Sequence, residues 1–186
     1  MTTDPCADDM RVLALTLISS FSRAQDAVDG AARGYFEHRV EPMMSWLDDR
    51  GATKRIRDDH RPELLELLKK AGSCDADLDL YGATYRKVKA VRDNIGHSAR
   101  IELLDHDRMR LQTSFFSSST LPETRPVNYG RVAINNRIRD AEWLLAQAMY
   151  VSASLAAKLF QGGQEIVVIK PTADPRDWTG ELMRPV

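Results

Sequence analysis

The sequence predicts an all-α protein: an up-and-down bundle of four to five main helices, with an irregular insertion and a short extended C-terminal tail. Three observations predict it. Apolar residues recur at helical spacing over several long stretches. The last stretch, through Ile134, Ile138, Ala141, Leu145, Ala148, Ser152, Leu155 and Leu159, alternates steps of four and three, the pattern of a bundle seam. The connections are short except over 99–127, where no helical period is sustained. The reading divides the chain into a helical domain, 1–163, and an extended tail, 164–186.

A chain of 186 residues suits one domain and needs no disulfide or metal to bury a sizeable core. The formal net charge of −1 argues against a dedicated duplex-DNA binder but leaves room for a small basic cleft. The two cysteines, Cys6 and Cys74, lie in no C-x-x-C pair and near no histidine at zinc-like spacing. They read as reduced thiols, and no metal or cofactor is expected. The N-terminus carries no basic targeting segment, and the apolar run Val12–Ile18 is too short to span a bilayer. The expected location is the cytoplasm, away from membranes.

Asp4-Pro5 reads as a helix start. Leu13, Leu17, Phe21, Ala24 and Val28 carry the first helix to about Asp29, and Gly30 and Gly34 loosen the chain beyond it. An apolar face continues from Tyr35 to Leu47, kinked or restarted at Pro42. A charged connector, 54–60, leads to Pro62 in the first turn of a short helix ending at Gly72. Ser73 or Asp75 can cap the next helix, expected from Ala76, with the stripe Tyr81, Thr84, Tyr85, Val88, Val91 and Ile95. Met109–Phe116 could be a strand or an extended segment. Asn128 can cap the last helix, and Gly162-Gly163 ends it. The tail holds one strand-like run, Ile166–Ile169, after which Pro171, Pro175 and Pro185 argue against further regular structure. Trp178 could pin the tail onto the body or onto a partner.

Function turns on Arg92-Asp93-Asn94-Ile95-Gly96-His97, at the end of the helix whose stripe begins at Tyr81. On a straight helix Arg92 and His97 stand about 140° apart, so they do not converge on one atom. Two routes bring them together. Gly96 can turn the chain in the left-handed conformation, or two copies of the stretch can face each other across a two-fold axis. Asp93, four residues before His97, could pair with the imidazole, and a helix C-terminus favours a cation there. The residue types suit RNA hydrolysis without metal. Histidine can take the 2′-hydroxyl proton or protonate the leaving 5′-oxygen. Arginine offers a fixed fork of donors to phosphate oxygens. Asn94 adds a neutral donor. The plainer reading is an arginine paired with an acid and a histidine bonded to a carbonyl at a helix end.

The run Val91-Arg92-Asp93-Asn94-Ile95-Gly96-His97-Ser98 resembles the Arg-x4–6-His signature of the HEPN superfamily. A polar residue after the arginine matches Asp93, and an apolar then a small residue before the histidine match Ile95 and Gly96. The long helix over 128–160 also fits. The resemblance implies a helical bundle, commonly a homodimer with the two signatures facing. It implies a metal-independent endoribonuclease of a toxin–antitoxin, phage-defence or RNA-processing system, or a member that only binds RNA. Carried over by position, Arg92 and His97 are the active pair, supported by Asp93 and Asn94. A protein antitoxin or regulator is a possible partner. One departure stands out: members paired with nucleotidyltransferases often carry a tyrosine two residues after the histidine, where this chain has Ala99, so that pairing is not expected.

His60 and His106 sit among acids and arginines that read as exposed charged connectors, and His38 reads as a surface residue. Arg131, Arg137 and Arg139, with Tyr129, give the last helix a basic first half that could bind an RNA backbone or simply be solvated. The alternative to the enzyme is a non-catalytic helical interaction or RNA-binding module.

Overall fold

The computed structural model describes residues 9–39, 57–113, 126–159 and 166–185. Its helices are α1 (Met10–Arg39), α2 (Arg61–Gly72), α3 (Tyr81–Gly96) and α4 (Arg131–Leu159), with a 3-10 turn, Asp58–His60, leading into α2. Its strands are β1 (Ser98–Asp105), β2 (Arg108–Thr113), β3 (Val127–Gly130), β4 (Ile166–Val168) and β5 (Met183–Pro185). The expected helices around Pro42 and the ends at Asp4-Pro5 and Gly162-Gly163 lie outside the described residues.

The all-α expectation is corrected by a three-stranded antiparallel sheet, in the order β1-β2-β3, inserted between α3 and α4. In β2, Met109 and Leu111 are buried while Arg108 and Gln112 are exposed, the two-residue period of a half-buried strand. Leu103 and Ile101 of β1 face them across one ladder, and Tyr129 and Val127 of β3 across the other. The hairpin turn at His106-Asp107 contains no glycine. Asp105 Oδ1 accepts the Asp107 N–H at 2.9 Å, an Asx-type turn made by an acid. A short alternation in a charged background, joined by such a turn, resembles a charged connector when only helical periods are sought.

α1 runs unbroken through Gly30 and Gly34, beyond the stop expected near Asp29. Each glycine costs a helix about 1 kcal/mol. The buried stripe Leu17, Phe21, Ala24, Val28, Ala31 and Ala32 continues past Gly30 and outweighs that loss by packing. α2 begins with Pro62 in its first turn, as expected. The left-handed residue at its end is Ser73 (φ 45°), not a glycine, and its N–H donates to Lys70 O at 3.1 Å. α3 starts at Tyr81 rather than Ala76. Asp75 caps nothing: its carboxylate takes the Tyr150 hydroxyl at 2.7 Å and Lys170 Nζ at 2.6 Å.

Asn128 is likewise no cap but lies in β3, where its Oδ1 accepts from Arg110 Nε at 3.4 Å. The first N–H of α4, at Arg131, instead donates to the Asp107 carbonyl at 2.7 Å. The predicted seam of α4 is sound: Ile134, Ala141, Leu145, Ala148 and Leu155 are buried against the other helices. Trp143 and Gln147 are buried as well, because the tail covers another face. Thr172 O accepts the Trp143 indole N–H at 2.8 Å and Gln147 Nε2 at 3.1 Å. Trp178 packs onto the same core, as the sequence suggested. The tail also holds more structure than its prolines implied, since β4 and β5 pair antiparallel with Pro185 opposite Ile166. A terminal strand of two tolerates a proline because its outer donors have no ladder to serve. Among the described residues, no helix is long and apolar enough to cross a membrane.

Candidate functional site at the end of the third helix

α3 buries Tyr81, Thr84, Tyr85, Val88 and Ile95, and this stripe fixes its rotation on the bundle. Tyr81 lies against Tyr85 and Trp143, with ring centroids 6.3 and 6.1 Å away. The predicted signature therefore emerges at a firmly seated helix end. The helix keeps its turn through Gly96, and the His97 N–H donates to Asp93 O at 2.9 Å. Gly96 does not take the left-handed conformation; among the described glycines only Gly180 has positive φ. The chain turns at His97 itself (φ −98°, ψ 6°), and β1 starts at the next residue. Ser98 Oγ donates to the Asn94 carbonyl and closes the last turn. With helical spacing kept, Arg92 and His97 of one chain stay about 140° apart around the axis. The glycine route to convergence is not taken.

Arg92 is held on several sides. Its Nη2 donates to Asp58 Oδ2 at 2.6 Å, and its guanidinium carbon stands 5.2 Å from the centre of the Phe21 ring. Its buried Nε lies 3.2 Å from Asp93 Oδ1 without the alignment of a hydrogen bond, so that contact is an ion pair only. Nη1 makes no hydrogen bond among the described residues. Asp58 Oδ1 accepts from Arg61 Nη1 at 2.6 Å, and Arg61 makes two further bonds to Asp29 of α1, at 3.0 and 2.8 Å. Partial burial alone would raise the Asp58 pKa, but the Arg92 and Arg61 guanidiniums outweigh it and hold it below the ordinary carboxylate value.

The supporting residues take other partners. Asp93 Oδ2 pairs with Lys89 Nζ at 2.7 Å, one turn earlier, rather than with His97. Asn94 Nδ2 donates to the Tyr129 hydroxyl at 2.8 Å, tying the helix end to β3. The His97 side chain is exposed and, among the described residues, has no hydrogen bond or ion pair. Arg131 binds Asp107 Oδ1 at 2.7 Å, and Arg137 pairs with Asp140, so part of the basic start of α4 is neutralised within the chain. Arg139 Nη2 reaches Asn136 Oδ1 at 3.5 Å, and its charge acts on Asp140 and Asp174. His60 and His106 are exposed, with the nearest carboxylates those of Glu63 at 3.8 Å and Asp107 at 3.1 Å. His38 lies within α1.

Sequence reasoning missed Asp29, Asp58 and Arg61. The last two stand in a stretch read as a charged connector, yet Arg61 is 9% exposed. An ion pair spanning 34 residues, as between Asp58 and Arg92, has no local signature. The one available hint was an arginine beside Pro62, at the start of a helix whose first turn packs inward. Cys74 donates its thiol hydrogen to Ser154 Oγ at 3.2 Å. Among the described residues, no three His, Cys, Asp or Glu side chains are grouped to hold a metal ion.

The chain matches no protein-family model, no curated protein and no solved structure.

Proposed function

We propose that this protein is a HEPN-like endoribonuclease that cleaves RNA without a metal ion, through Arg92 and His97 of two facing copies. The observation that carries the reading is the exposed His97 imidazole, without a partner among the described residues, at the end of the helix that fixes Arg92. A histidine held by its own chain would be a structural cap; this one is left for chemistry or contact. The 2′-oxygen attacks phosphorus, one imidazole takes the 2′ proton, and the P–O5′ bond breaks. The second imidazole, in its protonated form, gives the 5′-oxygen its proton. The products are a 2′,3′-cyclic phosphate and a 5′-hydroxyl. Arg92 binds the non-bridging oxygens, where charge builds up in the transition state. Since Arg92 and His97 stand about 140° apart around the helix axis, the reading pairs them across a homodimer. It goes with a cytoplasmic location and with a protein antitoxin or regulator as partner. The test is RNA cleavage in EDTA by wild type and by His97→Ala.

A second reading rests on a different observation. Arg92 already faces the carboxylates of Asp58 and Asp93, as an arginine with a purely structural task would. The protein is then a non-catalytic interaction or RNA-binding module. It would bind RNA without cutting it, or bind none, and His97→Ala would leave its behaviour unchanged.

A further inference from the structure

The ion-pair chain that ends on Arg92 begins on α1. Asp29 grips Arg61 through two bonds, and the Arg61 side chain is 11% exposed. Arg61 passes its remaining fork to Asp58 at 2.6 Å, and Asp58 takes Arg92 Nη2 at 2.6 Å. Residues of α1, the 3-10 turn, α2 and α3 thus decide together where one guanidinium stands. Phe21 supports its face. Asp58 and Asp93 occupy its Nη2 and Nε sides, leaving the Nη1 edge.

We propose that Asp58, anchored by Arg61, is a positioning residue that sets Arg92 to present its Nη1 edge to a phosphate oxygen of RNA. This rests on the reading of Arg92 as a phosphate-binding residue. The other role open to Asp58 is that of a competitor, a carboxylate sitting where phosphate must go. Its geometry favours positioning, because leaving Arg92 would also require Asp58 to abandon a mostly buried Arg61 or stretch the pair. An arginine ordered in advance loses little further freedom when its ligand arrives. Misplacement of such a group by about 1 Å can cost about 100-fold in rate.

The experiment uses the full chain and a fluorescent single-stranded RNA of mixed sequence. Wild type, Asp58→Asn, Asp58→Glu and Leu155→Ala are compared below their unfolding temperatures. Leu155→Ala serves as a destabilised control remote from Arg92. NMR of the guanidinium follows rotation of Arg92 in each variant. Positioning predicts that Asp58→Asn frees that rotation and lowers kcat/KM by about 10- to 100-fold. Asp58→Glu recovers part of both, and Leu155→Ala changes neither. Unchanged or raised activity in Asp58→Asn would overturn the proposal and leave Arg92 as a phosphate ligand. A wild type that neither binds nor cleaves RNA would remove that reading of Arg92, and the proposal with it.

Discussion

Gly72 and Leu155 meet so closely that the absence of a side chain at 72 sets the approach of α2 to α4. A Cβ there would stand 2.9 Å from Leu155 Cδ2 and 3.3 Å from its Cγ. The helix ends at Gly72 as the sequence suggested, with Ser73 as its left-handed cap, and the glycine also serves packing. Alanine would gain about 1 kcal/mol of helix propensity and lose about 1–3 kcal/mol by overpacking a buried leucine. Gly72→Ala should therefore destabilise by about 1 kcal/mol in wild type. In a Leu155→Ala background it should be neutral or stabilising. Urea unfolding of the four proteins checks this, and equal costs in both backgrounds would contradict the contact.

The sheet makes its own prediction. Leu111 is 1% exposed while its neighbour Gln112 is exposed on the other face of β2. Leu111→Ala should cost about 2–4 kcal/mol. Gln112→Ala should stay within about 0.5 kcal/mol. Similar small effects from both would return the insertion to irregular chain.

Asp58 and Asp140 should give opposite pH signatures. Asp58 is lowered from 3.8, so its ionised form is favoured by folding. Its contribution is present above the unfolded value and is lost as pH falls through the folded one. Asp58→Asn should be most damaging near neutrality, with the gap closing below about pH 4. Asp140 is raised, because burial outweighs its pair with Arg137. Its contribution is present below the unfolded value and is lost as pH rises through the folded one. The stability of Asp140→Asn relative to wild type should therefore improve as pH rises from about 3 to 7. Denaturation at a series of pH values reads both signs.

The two-fold reading predicts that one damaged copy silences its partner. His97→Ala unfolded and refolded with wild type should form mixed dimers that hold one imidazole where the step uses two. Cleavage should then fall with the square of the wild-type fraction in the mixture. A fall in simple proportion to that fraction would place each active pair within one chain.

The helices were legible in the sequence because each buries one continuous apolar stripe, as with Tyr81, Tyr85 and Val88 of α3. The sheet was legible only at β2, which overlaps the stretch read as a strand or extended segment, because its buried face rests largely on Met109 and Leu111, too few residues for a pattern. The tail's docking was half legible. Trp178 signalled it, but the Thr172 carbonyl that receives both Trp143 and Gln147 is backbone and leaves no mark in a sequence. At the candidate site, Arg92 and His97 were singled out from the signature they form. Their surroundings were not, since Asp29, Arg61 and Asp58 meet Arg92 only through the tertiary fold.

The most direct test is cleavage of a mixed RNA pool in EDTA by wild type and His97→Ala. Cleavage by wild type with 2′,3′-cyclic phosphate ends, reduced by about 100-fold or more in His97→Ala, is the predicted result. Equal cleavage by the two proteins, or none by either, would contradict it.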